Sequence, residues 1–273
     1  MNASILIRDL RADDIPHLAG FPPPEWQFDA GAFFERHLGR PYFHPLAAEA
    51  DGTVVGIANS LFFGPSAWLG NIIVSPERRR RGIGAALTAR LIEAGRRHGC
   101  RHQILIATEL GRPVYGTQGF VRTGEYVFLK PARPVDQPDM ARIRPAEPGD
   151  LGAIAALDAA ATAEDRRPML ERLLDAGMVH HAGAPEHIDG FYLPAFGQGP
   201  VVADNDDAGC ALLRLKHSGK DSTACIPAGN RRGIECLQDL GFVEDHRAPR
   251  MALGPDVAWD QTMIYARGAG YCG

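Results

Sequence analysis

Several features that settle a protein's class at a glance are missing from this 273-residue chain. No apolar run approaches the roughly 18 residues of a membrane span, and the amino terminus lacks a signal-peptide pattern. A soluble, cytoplasmic protein with no membrane partner is therefore expected. Cysteine is scarce. Cys100, Cys210, Cys225, Cys236 and Cys272 are scattered without metal or disulfide spacing, and their odd number points to reduced thiols. Neither charge sign is in large excess: 29 basic against 33 acidic residues give a formal net charge of −4, whereas a dedicated nucleic-acid binder is more often basic throughout. Aromatics make up 8% and do not interleave with basic residues as on a single-strand platform, so no nucleic-acid partner is expected.

What is present is an ordinary core-forming composition, 45% hydrophobic and 23% charged, on a chain long enough for two domains of about 100–150 residues. The stretch "KPARPVDQPDMA", Lys130 to Ala141, reads as a linker because its prolines and polar residues cannot hold a packed element. The chain repeats itself on either side. "IRDLRADDI" from Ile7 matches "IRPAEPGDL" from Ile143, and "YGTQGFV" from Tyr115 resembles "LQDLGFV" from Leu237. The first landmarks are offset by 136 residues and the last by 122, so the second copy is 14 residues shorter between them. A repeat of this length means two related domains, 1–135 and 136–273.

In the first copy the pattern predicts helices near Asp14–Leu18 and Ala30–His37. Strands follow at Phe43–Ala48, Val54–Phe63 and Trp68–Val74, with Asp51-Gly52 as a hairpin turn. A helix is predicted from Gly82 to His98, because Ile83, Leu87 and Leu91 share one face and Gly99 stops it. A buried strand Gln103–Thr108, a short helix ending before Gly119 and a last strand pair through Phe120–Leu129 complete the copy. The class is α/β (α+β) with a mixed sheet.

The chemistry concentrates at "SPERRRRGIGAAL", Ser75 to Leu87. Glycines at 82 and 84 let backbone approach a ligand, and the free amides and positive dipole end of the following helix suit a phosphate or pyrophosphate. The spacing is neither G-x-G-x-x-G nor G-x-x-x-x-G-K-[ST], which argues against dinucleotide and P-loop sites. Arg79-Arg80-Arg81-Gly82-Ile83-Gly84 does fit the [Q/R]-x-x-G-x-[G/A] loop. With "IIVSPE" before it and the Y-x-x-x-G-F of Tyr115 to Phe120 after it, residues 3–130 resemble the GNAT superfamily of acyl-CoA-dependent N-acetyltransferases.

The resemblance implies two GNAT-like domains, each a twisted, mostly antiparallel mixed sheet flanked by helices. It implies acetyl-CoA as donor and a small-molecule or peptide amine as acceptor, in a monomer or homodimer. Main-chain groups of Ile72, Ile73 and Val74 would bond the pantetheine arm where the fourth strand splays from the fifth. Amides of Arg79, Arg80, Arg81, Gly82, Ile83, Gly84 and Ala85 would hold the pyrophosphate, and Thr108 and Gly111 would flank the cofactor. Tyr115 would stand by the sulfur as general acid, and "PPPEW" through Trp26, with His44 and Asn71, would face the acceptor. The carboxylate base that many members carry on the fourth strand is missing from "SAWLGNIIV"; water, Glu25, Asp29 or His44 are the alternatives.

The second copy departs further. Val202 to Gly209 reads "VADNDDAG", whose aspartates repel a pyrophosphate, and Leu237 stands at the position of Tyr115. This half is expected to have lost cofactor and chemistry, and to stabilise its companion or shape the acceptor cleft. His180, His181 and His187 straddle an expected hairpin without a cysteine or carboxylate pattern; they read as exposed strand histidines, and no metal is expected. Two rivals to an enzyme remain: an acyl-CoA sensor without turnover, and an interaction module using the arginines on acidic partners.

Overall fold

The first half begins with strands whose turns are set by residues tolerant of positive φ. In chain order it holds β1 (Ile5–Asp9), α1 (Ala30–His37), β2 (Phe43–Ala50), β3 (Thr53–Phe63), β4 (Ser66–Val74), α2 (Ile83–Arg97), β5 (His102–Ile106) and α3 (Arg112–Thr117). The computed structural model describes residues 5–26, 28–184 and 186–273. Strands β1 to β4 form an antiparallel meander, and β5 lies parallel to β4. Asp51 and Gly52, at φ 51° and 76°, make the two-residue hairpin between β2 and β3.

Helix α1 starts where Asp29 Oδ1 accepts the Ala32 amide at 2.9 Å, and it buries Phe33, Phe34 and His37. Phe33 and Phe34 meet Phe43 of β2 edge-on at 5.5 and 5.6 Å. The predicted face of α2 is the buried one: Ile83, Leu87 and Leu91 are at most 3% exposed. Full burial of such a side chain is worth about 1.5–3 kcal/mol. Gly56 of β3 makes room for them, since a Cβ there would sit 3.3 Å from Leu87 Cδ1. The helix expected near Asp14–Leu18 is instead a 3-10 turn, Ala12–His17. Pro16 removes an amide donor, and Asp14 is occupied as the partner of Arg8.

The remaining elements are β6 (Val121–Pro131), β7 (Ile143–Pro145), α4 (Leu151–Thr162), α5 (Arg167–Arg172), β8 (Met178–His181), β9 (Ile188–Tyr192), β10 (Val201–Ala203), α6 (Asp206–His217), β11 (Ala224–Pro227), α7 (Arg231–Asp239), β12 (Phe242–Leu253) and β13 (Ile264–Ala266). The repeat seen in the sequence is a repeat of contacts. Arg8 makes two hydrogen bonds to Asp14 (2.7 and 2.8 Å), which accepts the Arg11 amide. Arg144 makes two to Asp150 (2.7 and 2.9 Å), which accepts the Glu147 amide. At the far end, Gly119 and Gly241 both close a helix in the left-handed region, at φ 90° and 92°.

By its contacts the chain divides into unit 1, Met1–Val121 with Met251–Asp256, and unit 2, Arg122–Arg250 with Val257–Gly273. Unit 2 contains the sheet β13-β10-β9-β8-β7, and β6 pairs antiparallel with β11 and has β12 on its other side. In unit 1 the end of β12 neighbours β5. The division expected at 135/136 therefore falls elsewhere. Residues Arg122 to Pro131 count with unit 2 because they pair there, from Ala224↔Leu129 to Pro227↔Tyr126. The strand pair expected through Phe120–Leu129 is this single long strand.

Two further expectations are corrected. Cys210 of α6 and Cys236 of α7 form a disulfide with Cα atoms 5.9 Å apart, while Cys100, Cys225 and Cys272 are free and buried. Helix packing brings together cysteines 26 residues apart in sequence, and the thiols no longer argue for a compartment. His180 is not exposed: it is buried at the end of β8, its Nδ1 2.6 Å from Asp189 of β9, where hairpin pairing supplies the carboxylate that linear spacing did not show.

Candidate active site

Strands β4 and β5 run together only briefly, with Ser66, Ala67 and Trp68 opposite His102, Gln103 and Ile104. Beyond Trp68 the parallel ladder ends. The partner on the other side also changes there: Asn59 lies opposite Gly70 but Ile57 opposite Ile73, so β4 carries one extra residue at Asn71–Ile72. Such a bulge bends a strand and re-aims its groups. Asn71 takes φ 50°, a left-handed conformation that asparagine tolerates better than most residues. Ile72 and Val74 are partly buried and pack on the α2 side of the sheet.

Ser75 follows, held to Val55 O through both its amide and its hydroxyl at 3.0 Å, and then the arginine loop. Arg80 is left-handed at φ 59° and Gly82 at φ 78°. Gly82 is the cap residue of α2, and a Cβ on it meets nothing within 4 Å, so its requirement is conformational and the space above it is open. Helix α2 has no side-chain cap and no acidic residue in its first turn. Among the described residues, no side chain thus covers the amides that the first turn of this helix leaves unpaired. Arg79 spends its Nε on Val74 O at 3.0 Å, which braces the end of β4; Arg80 and Arg81 are exposed. Gln118 Nε2 donates to Ala85 O at 2.7 Å and ties α3 to α2.

Thr108 is exposed and shapes the start of α3: its hydroxyl and its carbonyl both accept the Gly111 amide at 3.1 Å. Gly111 is needed for close approach, because a Cβ there would lie 2.7 Å from Tyr115 Cε2. Tyr115 is buried, edge-on to Phe120 at 6.1 Å, and among the described residues its hydroxyl has no hydrogen-bond partner. Burial pushes that hydroxyl up to about 12, so it stays protonated at neutral pH.

The other expected residues are dispersed. Trp26 is 40% exposed in the short turn Pro24–Trp26; the side chain of Glu25 in the same turn lies outside the described residues. Asp29 is committed as the cap of α1. His44 sits opposite Ser60 and stacks toward Phe62, which lies against His98, the cap residue of α2. Its ring is on the α2 side of the sheet, and burial lowers its pKa. Asn71 points the other way, its Nδ2 donating to Asn59 Oδ1 at 2.7 Å. Asn59 is fully buried and, among the described residues, its own Nδ2 has no partner. An unpaired buried donor costs about 1–3 kcal/mol, so this is a second polar group at the bulge that sequence reasoning missed. The one linear sign was a polar pair inside the apolar run "GIANSLFF".

In unit 2 the equivalent helix start is closed. Asn205 Oδ1 caps α6 by accepting the Ala208 amide at 2.9 Å, Asp206 and Asp207 occupy the first turn, and Tyr265 donates to Asp206 at 2.7 Å. The Cys210–Cys236 bridge cross-links α6 to α7, and Leu237 is fully buried in the apolar core.

A parted pair of parallel strands, a bulge on the first of them and an uncapped glycine-started helix make the arrangement that the resemblance to GNAT acyltransferases implies. The sequence model of the acetyltransferase (GNAT) family matches residues 7–120, and that of an acetyltransferase (GNAT) domain matches residues 154–266. The chain belongs to the GNAT acetyltransferase family, with two such domains in tandem. It is 27% identical over 121 residues to a Bacillus subtilis (strain 168) protein provisionally named a ribosomal protein bS18-alanine N-acetyltransferase, covering 42% of this chain and 78% of that one. A crystal structure of a Pyrococcus horikoshii protein, provisionally an acetyltransferase, matches 98% of this chain and 96% of its own with a TM-score of 0.81 and 23% identity. A GCN5-related N-acetyltransferase from Sphaerobacter thermophilus matches 95% and 98% with a TM-score of 0.61 and 16% identity. These two structures share the fold.

Proposed function

We propose that unit 1 transfers an acetyl group from acetyl-CoA to a primary amine, and that unit 2 binds no cofactor. The observation that carries this reading is the open, uncapped start of α2 beside the point where β4 and β5 part. The amides from Arg79 through Ala85 hold the pyrophosphate, with Arg80 and Arg81 adding charge at its rim. Main-chain groups of Ile72, Ile73 and Val74 bond the pantetheine arm, and Thr108 and Gly111 line its path. When bound, acetyl-CoA supplies an acyl group activated as a thioester. The bulged backbone at Ile72 offers an amide to the oxyanion that forms.

Tyr115 is the acid at the leaving sulfur. Its hydroxyl, held near 12, acts chiefly by donating a hydrogen bond. Complete transfer to a thiolate whose thiol has a pKa near ~8.5 would run uphill by roughly 5 kcal/mol. The uncommitted hydroxyl supports this role over pure packing. The name of the Bacillus subtilis relative supports an amine acceptor. A panel of amines offered with acetyl-CoA, scored by release of free thiol, tests the reading. Amine-dependent release bears it out; binding of acetyl-CoA with no release for any amine favours a sensor.

A further inference from the structure

The strands of unit 2 have two unlike sides. Val127 and Leu129 of β6, with Ala224 and Ile226 of β11, enter the apolar core formed with α6 and α7. Strand alternation turns Tyr126, Phe128 and Cys225 to the other side, away from the closed helix start at α6. The interior of this unit is rich in cations: Arg166, Arg250 and Arg267 are 2%, 1% and 7% exposed. Buried charges and hydroxyls ordinarily have partners, because leaving water without gaining one is costly. Arg166 has them in both oxygens of Asp158, at 2.5 and 2.8 Å, and in Gly273 O at 2.9 Å. Arg250 donates to Thr123 Oγ1 at 2.6 Å and lies over the Trp259 ring, 4.5 Å from its centroid.

Arg267 and Tyr126 differ. The Arg267 amide is bonded to Cys225 O at 3.1 Å, and its guanidinium lies over the Phe128 ring at 4.8 Å. Its Nη2 reaches Gln198 Oε1 at a long 3.3 Å; among the described residues its Nε has no partner and it makes no ion pair. The Cys225 thiol beside it supplies no counter-charge, since burial raises it to about 11. Lys216 adds a second cation nearby, held by the carbonyls of Gln198 and Gly199 and not by a carboxylate. Tyr126 is wholly buried, and among the described residues its hydroxyl has no partner either. Its ring meets Trp259 at 5.9 Å, and burial, against the pull of Arg250 and Arg267, keeps the hydroxyl protonated and able to donate.

Nε and Nη2 form one edge of a guanidinium, and that edge can donate to both oxygens of a carboxylate. We propose that this edge of Arg267 and the Tyr126 hydroxyl together bind a small monocarboxylate inside unit 2, in place of the Gln198 side chain. Gln198 is exposed, between Gly197 and Gly199 at φ 59° and 82°, and marks the way in from the surface. Phe128 and Trp259 offer apolar surface to the rest of the ligand. Buried Glu164 lies near enough to act on Tyr126, and its like charge selects against phosphate or a dicarboxylate. Acetyl transfer in unit 1 is not required for this site.

The probes are propionate and alanine, with succinate and phosphate as controls, each titrated by calorimetry into the full chain in a chloride buffer. Propionate and alanine should bind saturably and raise Tm, and succinate and phosphate should do neither. Arg267→Lys keeps the charge but loses the two-donor edge, and should weaken propionate binding by about tenfold or more. Tyr126→Phe should also weaken it, yet leave the ligand-free Tm unchanged or higher, because the hydroxyl it removes has no partner to lose. A lower ligand-free Tm in Tyr126→Phe would assign that hydroxyl to the fold and overturn its role here. No saturable binding of either probe at ~10 mM, phosphate bound as well as propionate, or unchanged propionate affinity in both variants would overturn the site as a whole. Amine-dependent thiol release is a separate readout, so the proposed function stands or falls without it.

Discussion

Gly111 and Tyr115 illustrate how little of a site rests on one side chain: the ring can lie where it does because residue 111 has no Cβ. Tyr115 was legible through the resemblance of Tyr115 to Phe120 to the Y-x-x-x-G-F motif of the family. Asn59 was not legible, because its importance comes from the bulge opposite it and no local spacing announces a bulge. Tyr115→Phe is expected to lower kcat by ~10²-fold, in line with general acid catalysis, while acetyl-CoA affinity stays the same. Since burial raises the hydroxyl to about 12, wild-type kcat should show no alkaline fall below pH ~10. Steady-state thiol release across pH, with calorimetry on both proteins, checks both. Retained turnover in the variant would make Tyr115 a packing residue.

At the scale of elements, α2 was readable almost to the residue, because a 3.6-residue apolar period and a terminal glycine are local signals. The disulfide between α6 and α7 and the buried histidines were not, since burial depends on which helix packs where. His217, at the end of α6, is one of these. Its ring meets Phe242 at 4.9 Å, and burial, then Lys216 and Lys220, push its pKa down to about 3. A group whose proton the fold refuses favours the unfolded chain as pH falls below the unfolded value near 6.5. Stability should therefore fall by about 1.4 kcal/mol per pH unit below 6.5, about 2 kcal/mol by pH 5. His217→Phe should reduce that slope, leaving the smaller contribution of His44, which has the same sign. Urea midpoints at pH 5 and 7 measure it. Parallel losses in both proteins would contradict the assignment.

For the whole molecule, two related halves were evident from repeated Arg–Asp and Gly-Phe landmarks, but the exchange of segments was hidden. The strand after Gly119 and the strand after Gly241 look alike in sequence, and only pairing reveals that Arg122–Pro131 counts with unit 2 and Met251–Asp256 with unit 1. A protein cut at the apparent linker, residues 1–135, leaves β6 without β11 and β5 without the end of β12. It should be poorly soluble and lack a cooperative thermal transition, with exposed apolar strand surface as the cause. A soluble 1–135 protein that melts cooperatively and binds acetyl-CoA as the full chain does would show that the exchanged segments are dispensable.

On the proposed function, one chain carries one working cofactor site, at the uncapped start of α2, and a closed counterpart at α6. Calorimetric titration of the full chain with acetyl-CoA tests it most directly, alongside Gly82→Asp, which places a charged side chain at φ 78° beside the free amides. One equivalent should bind to the wild-type chain and none to a Gly82→Asp chain that retains its melting transition. Two equivalents in the wild type, or full affinity in the variant, would contradict it.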